Sequence, residues 1–74
     1  MEFIFEKGTK YRHFKGDIIA VYCLAEHSEN GDSLVIYEHK GKMWARPKEM
    51  FMSEVEHDKY PDVQQKYRFE LVTE

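Results

Sequence analysis

From Asp17 to Pro47 the chain runs through three apolar stretches separated by two short polar breaks. Asp17–His27 is rich in β-branched and aromatic residues and holds no Gly or Pro, the make-up of a pleated, half-buried strand. Glu29-Asn30-Gly31-Asp32 follows, and Asn-Gly between apolar runs signals a hairpin because both residues accept positive φ. Leu34–Tyr37 is the second predicted strand and Lys40-Gly41 the second turn. Met43–Arg46 is the third strand, stopped by Pro47, which has no N–H for a ladder. The pattern predicts a three-stranded antiparallel meander.

Turn centres set the register. An Asn30-Gly31 centre puts Leu24 opposite Tyr37 and Glu26 opposite Val35; the facing charges of Glu29 and Asp32 favour a wider loop on that centre. A Lys40-Gly41 centre puts Tyr37 opposite Trp44 and Val35 opposite Arg46. Alternation then collects Val21, Cys23, Ala25, Leu34, Ile36, Met43 and Ala45 on one face as a plain core. Tyr22, Leu24, Glu26, Val35, Tyr37, His39, Trp44 and Arg46 share the other, amphipathic face, where Glu26 and Arg46 are expected to pair.

The flanks are predicted to close this meander. Residues 1–8 form a lead-in or edge strand, with Phe3 or Phe5 over an open barrel end. Tyr11-Arg12-His13-Phe14 alternates, Tyr11 and His13 pointing one way and Arg12 and Phe14 the other, before Lys15-Gly16 turns. Pro47–Phe51 reads as one helical turn, Pro at its first position and Met50 and Phe51 dropping into the core. Ser53–His57 reads as a polar-edged strand, residues 58–66 as a loop that should be the most mobile segment, and Tyr67–Val72 as the closing strand. The expected fold is all-β: a single domain over residues 1–74, an SH3-like, partly open small barrel of five or six antiparallel strands with one short helical turn.

Composition narrows the setting. A chain of 74 residues buries only about 60% of its unfolded surface, so its stability should be marginal. One cysteine, Cys23, allows no internal disulfide and fits a reducing compartment, and Phe3-Ile4-Phe5 is too short for a leader or a membrane span. A cytoplasmic protein without membrane association is expected. Eleven basic and fourteen acidic residues give a net charge of −3, which disfavours non-specific DNA binding. The charge is uneven, however. Lys7, Lys10, Arg12 and Lys15 stand with His13 and no acid, whereas Glu49–Asp62 holds five acids against Lys59.

Catalytic and metal patterns are weak. His27-Ser28-Glu29 are adjacent in sequence, and strand alternation sends neighbours to opposite faces, so they make no triad. Cys23 falls mid-strand with no base nearby. Glu54, Glu56, His57 and Asp58 lack ligand spacing and read as a solvated acidic edge. The four glycines, Gly8, Gly16, Gly31 and Gly41, stand singly and build no phosphate loop. No cofactor and no metal are expected. The aromatic–basic face is the remaining candidate, with Tyr11, Arg12, His13, Tyr37, Trp44 and Arg46 as its ligand-binding residues; Trp, Tyr and Arg are the side chains enriched at binding hot spots. The favoured function is a non-catalytic binding module for a peptide or nucleotide-like ligand, acting as a monomer or weak dimer. An exposed Trp44 beside a cleft is the observation that separates binding face from core. One alternative is a barrel for RNA or single-stranded nucleic acid using Lys10, Arg12, Lys15 and Arg46. Another is a small enzyme using acid–base groups among His13, His27 and Glu26.

Several of these segments belong together. Tyr11-Arg12-His13-Phe14-Lys15-Gly16, Ala25–Glu29, Val35-Ile36-Tyr37, Trp44-Ala45-Arg46-Pro47 and Glu49-Met50-Phe51 resemble the small, mainly bacterial family called domain of unknown function 1653. The resemblance runs from about Gly8 to Leu71. This chain differs from the family's usual pattern in a shorter loop at Glu38–Lys42 and in Ile19, where an aromatic is frequent. The resemblance implies a compact, mostly-β domain and assigns no activity.

Overall fold

The computed structural model describes residues 2–73; Met1, part of the predicted lead-in, and Glu74 lie outside the described residues. Five strands form one antiparallel sheet: β1 (Lys10–His13), β2 (Ile18–Glu26), β3 (Ser33–His39), β4 (Lys42–Pro47) and β5 (Phe69–Leu71). Their spatial order is β4-β3-β2-β1-β5, so the predicted meander forms one side and β5 returns beside β1. The sheet curls without closing. In a flat sheet β4 and β5 would lie roughly 19 Å apart at the usual strand spacing, yet the Arg46 guanidinium from β4 sits 5.5 Å from the Phe69 ring of β5.

The second hairpin has the expected register, Tyr37 opposite Trp44 and Val35 opposite Arg46. Lys40 and Gly41 both have positive φ, which lets a two-residue turn match the strand twist. The first hairpin departs from expectation. Leu24 opposes Val35 and Glu26 opposes Ser33, leaving residues 27–32 as a wide loop. His27 N–H donates to the Asp32 carbonyl and Gly31 N–H to the His27 carbonyl, and Gly31 takes the positive φ. The loop closes on itself at this width, so its centre moves off Asn30-Gly31.

A β-bulge between Val21 and Cys23 has the larger consequence. One extra residue on β2 switches which side chains face inward. Ile19 and Val21 therefore join Val35 and Tyr37, while Cys23 lies opposite Ile36 on the outer face. The core is Tyr11, Ile19, Val21, Val35, Tyr37, Phe51 and Phe69. It occupies the face expected to be amphipathic, and the small-residue face expected to be core looks outward. The reason is cover: Phe51, Phe3 and Phe5 all pack on the Tyr37 side.

The helical turn α1 (Lys48–Phe51) follows Pro47, which ends β4 and caps the helix rather than entering it. Phe51 is fully buried, stacked on Phe69 at 4.1 Å and edge-on to Tyr11 at 5.3 Å. Met50, expected in the core, is exposed, because a turn this short presents only one position inward. Among its described residues the N-terminal segment forms no strand; it is tied down by the Tyr11 hydroxyl, which accepts from Ile4 N–H and donates to the Ile4 carbonyl. Ser53–His57 is likewise not a strand: a single bridge joins Glu54 to Tyr67. Arg68 holds this stretch instead, its Nε donating to Ser53 Oγ and its Nη2 to Glu56. Gln65 anchors the following loop by donating to the carbonyls of Arg12 and Tyr67.

Candidate functional site

A cavity of about 140 Å³ opens on the concave side of the sheet, lined by His13, Lys15, Asp17, Ile19, Tyr37, His39, Arg46 and Phe69. The strands deliver these groups in a way the residue order disguises. The β1–β2 turn, closed by His13 N–H donating to the Asp17 carbonyl, brings Asp17 back beside His13. Alternation along β3 puts Tyr37 and His39 on the concave face, and β4 adds Arg46 opposite Val35. Ile19 and Phe69 form the apolar floor.

Two halves of this pocket differ in charge balance. On one side Asp17 Oδ2 receives His39 Nε2 at 2.9 Å and Lys40 Nζ at 3.7 Å. The His39 contact, followed by the Lys40 charge, holds the Asp17 carboxyl below its ordinary pKa. On the other side the Arg46 guanidinium is half-buried over Phe69, and its Nε donates to the Tyr37 hydroxyl at 3.4 Å. Among the described residues no carboxylate pairs with Arg46, and Glu26 does not reach it as the sequence register had implied. Lys15 and His13 line the same pocket. Burial, then the Arg46 and Lys15 charges, push the His13 pKa down. His13 Nδ1 accepts the Lys15 backbone N–H at 3.1 Å, so the neutral ring carries its proton on Nε2.

The six residues expected to bind ligand separate here. His13, Tyr37 and Arg46 line the cavity. Trp44 is 48% exposed, its indole N–H directed at the His39 carbonyl at 3.4 Å, and it is not among the residues that line the cavity. Tyr11 lies wholly within the core, and Arg12 projects from the opposite face of β1, between Ile18 and Glu70. Asp17, His39 and Phe69 also line the pocket without having been expected as site residues, and Lys15 was expected there only for the nucleic-acid alternative. Lys15-Gly16 as a hairpin turn was the available signal: pairing β1 with β2 across it sets Asp17 against His13. His27 and Glu26 lie at the far end of β2, where His27 Nδ1 accepts the Glu29 N–H within the turn. A larger groove of about 570 Å³ runs past Asp32, Pro47, Lys48, Glu49 and Met52.

The family described as Protein of unknown function (DUF1653) matches residues 9–71. This chain belongs to DUF1653. Every residue lining the 140 Å³ cavity falls within the DUF1653 match, whereas Phe3 and Phe5, which cover the core, precede it. No curated protein and no solved structure matches the chain. Among the described residues of this DUF1653 protein no helix is long and apolar enough to cross a membrane, and no cluster of three His, Cys, Asp or Glu side chains is placed to hold a metal ion.

Proposed function

We propose that this DUF1653 chain is a non-catalytic binding module that takes the anionic group of a peptide or nucleotide-like ligand into the pocket beside Arg46. The observation that carries this reading is the half-buried Arg46 guanidinium with no carboxylate partner among the described residues. A partly desolvated cation is costly without a counter-charge. Phe69 and Tyr37 hold the guanidinium in place, leaving its outer N–H groups for a bidentate acceptor such as a carboxylate or phosphate. His13 Nε2–H and Lys15 add donors in the same pocket, while Asp17 is already engaged by His39 and Lys40. Half-exposed Trp44 supports a flat or apolar part of the ligand at the rim. Lys10 and Arg12 stand on the other face of β1, which weakens a single nucleic-acid groove shared with Arg46.

The test is an amide and side-chain NMR titration with inorganic phosphate, nucleotides and acidic peptides, repeated on Arg46→Ala. Shifts at His13, Lys15 and the Arg46 side chain that vanish in the variant support the module. A wild-type protein unresponsive to all of these probes defeats it.

A further inference from the structure

Lys15 belongs to the pocket and also to a second feature. Its Nζ lies 5.9 Å from the Phe14 ring centre and 5.6 Å from that of Tyr60. The two rings touch at 5.0 Å, and Phe14 packs on His13 at 4.5 Å, so the pair is continuous with the pocket wall. Both rings are partly exposed, and Lys59 Nζ approaches Tyr60 at 5.6 Å. The backbone holds the pair in place: Phe14 N–H donates to the Arg68 carbonyl and Tyr60 N–H to the Glu56 carbonyl. An aromatic step beside an anion pocket, bordered by two lysines, matches a ligand with a flat ring next to a strongly charged group.

We infer that Phe14 and Tyr60 form a base-stacking subsite, and that the ligand of the pocket is a phosphomonoester-bearing nucleotide rather than a carboxylate peptide. This rests on the anion site proposed above and adds its ligand class. Charge favours phosphate. A phosphomonoester carries about −1.5 to −2 charges at neutral pH, and Arg46 and Lys15 together offer two positive charges that lack carboxylate partners among the described residues. A carboxylate would neutralise only one. Stacking suits the other half, because every base presents a π-face; Lys15 Nζ lies over both rings and Lys59 Nζ over Tyr60, placing cation–π donors around the aromatic step. The shared chemistry is a base next to a terminal phosphate, from a free nucleotide or from the 5′ end of a single strand.

The experiment compares 5′-AMP, inorganic phosphate and adenosine on the full chain at one ionic strength, by NMR and fitted affinity. AMP is expected to shift Phe14, Lys15 and Tyr60 amides together with the Arg46 side chain, and to bind at least about tenfold more tightly than phosphate. Tyr60→Leu should weaken AMP about fivefold or more, from the usual worth of one stacked base, and leave phosphate binding unchanged. Lys59→Gln, a surface change that cannot unfold the chain, should weaken AMP about twofold with phosphate again unchanged. A short oligonucleotide with and without a 5′-phosphate tells the strand end from the free nucleotide. AMP affinity indifferent to both variants, or AMP shifts at Trp44 and not at Tyr60, overturns the subsite while leaving the anion pocket intact. An acidic peptide binding in the pocket where AMP does not overturns the nucleotide assignment. If phosphate, AMP and the acidic peptide all leave His13 and Arg46 unmoved, the anion pocket itself falls as well.

Discussion

Arg46 and Tyr11 show how two residues expected at one binding face can serve opposite ends. Both come from aromatic–basic motifs, and both were candidates for ligand contact. Arg46 ends at a cavity, with a planar head resting on Phe69. Arg46→Lys keeps the charge but loses the fork and the ring stacking, so ligand affinity is expected to fall about tenfold; isothermal titration against wild type reads this directly. Tyr11 ends inside, its hydroxyl serving both backbone groups of Ile4. Tyr11→Phe should lower stability by about 1–2 kcal/mol, the scale of a buried hydrogen-bond loss, with pocket titrations unchanged. Denaturant midpoints and the phosphate titration together check both halves of that statement.

The same scale sets the pH response. His13 has a folded pKa below its ordinary value, so the unfolded chain binds that proton more readily. Stability is therefore lost as pH falls from about 6.5, the ordinary imidazole value, down through the folded pKa. Asp17 is also lowered, so its contribution persists to acid pH and disappears only as pH falls through its folded pKa. Thermal midpoints measured across pH should show two separate acid steps, and His13→Gln should remove the upper one.

At the scale of elements, two short features outweigh their length. The β2 bulge decides which face is core, and α1 supplies a single plug. Phe51→Ala should cost about 3–5 kcal/mol, a large part of the roughly 4–11 kcal/mol expected for a domain this size. Met50→Ala, one residue away and exposed, should stay within about 0.5 kcal/mol. Urea unfolding of the two variants side by side tests the assignment of inside and outside. The strand positions of β2, β3 and β4 were legible in the residues because β-branched runs and the Lys40-Gly41 turn act locally. The bulge was not, because Val21-Tyr22-Cys23 carries no Gly or other local mark of an extra residue. Ser53–His57 had the alternation of a strand but pairs with residues 66–68 through the single Glu54–Tyr67 bridge.

For the molecule as a whole, the open sheet leaves β4 and β5 as edges, with β2 and β3 between other strands. Amide hydrogen exchange should be slowest in β2 and β3 and at least about tenfold faster along β4, whose side chains are nearly all exposed. Equal protection of β4 would point to a covered edge.

The sequence by itself determined the mainly-β class, the meander, the second hairpin's register and the inward turn ending at Phe51. These follow from side-chain shape and turn chemistry over a few neighbouring residues. Only the tertiary structure decided which face is the core and where the candidate pocket lies. Both depend on elements distant in sequence: Phe3 and Phe5 from one end, Phe69 from the other, and a bulge that becomes visible once β2 is paired. Among the described residues Arg46 has no carboxylate partner for the same reason, since the register that sends Glu26 to Ser33 is set by the whole sheet and not by either residue.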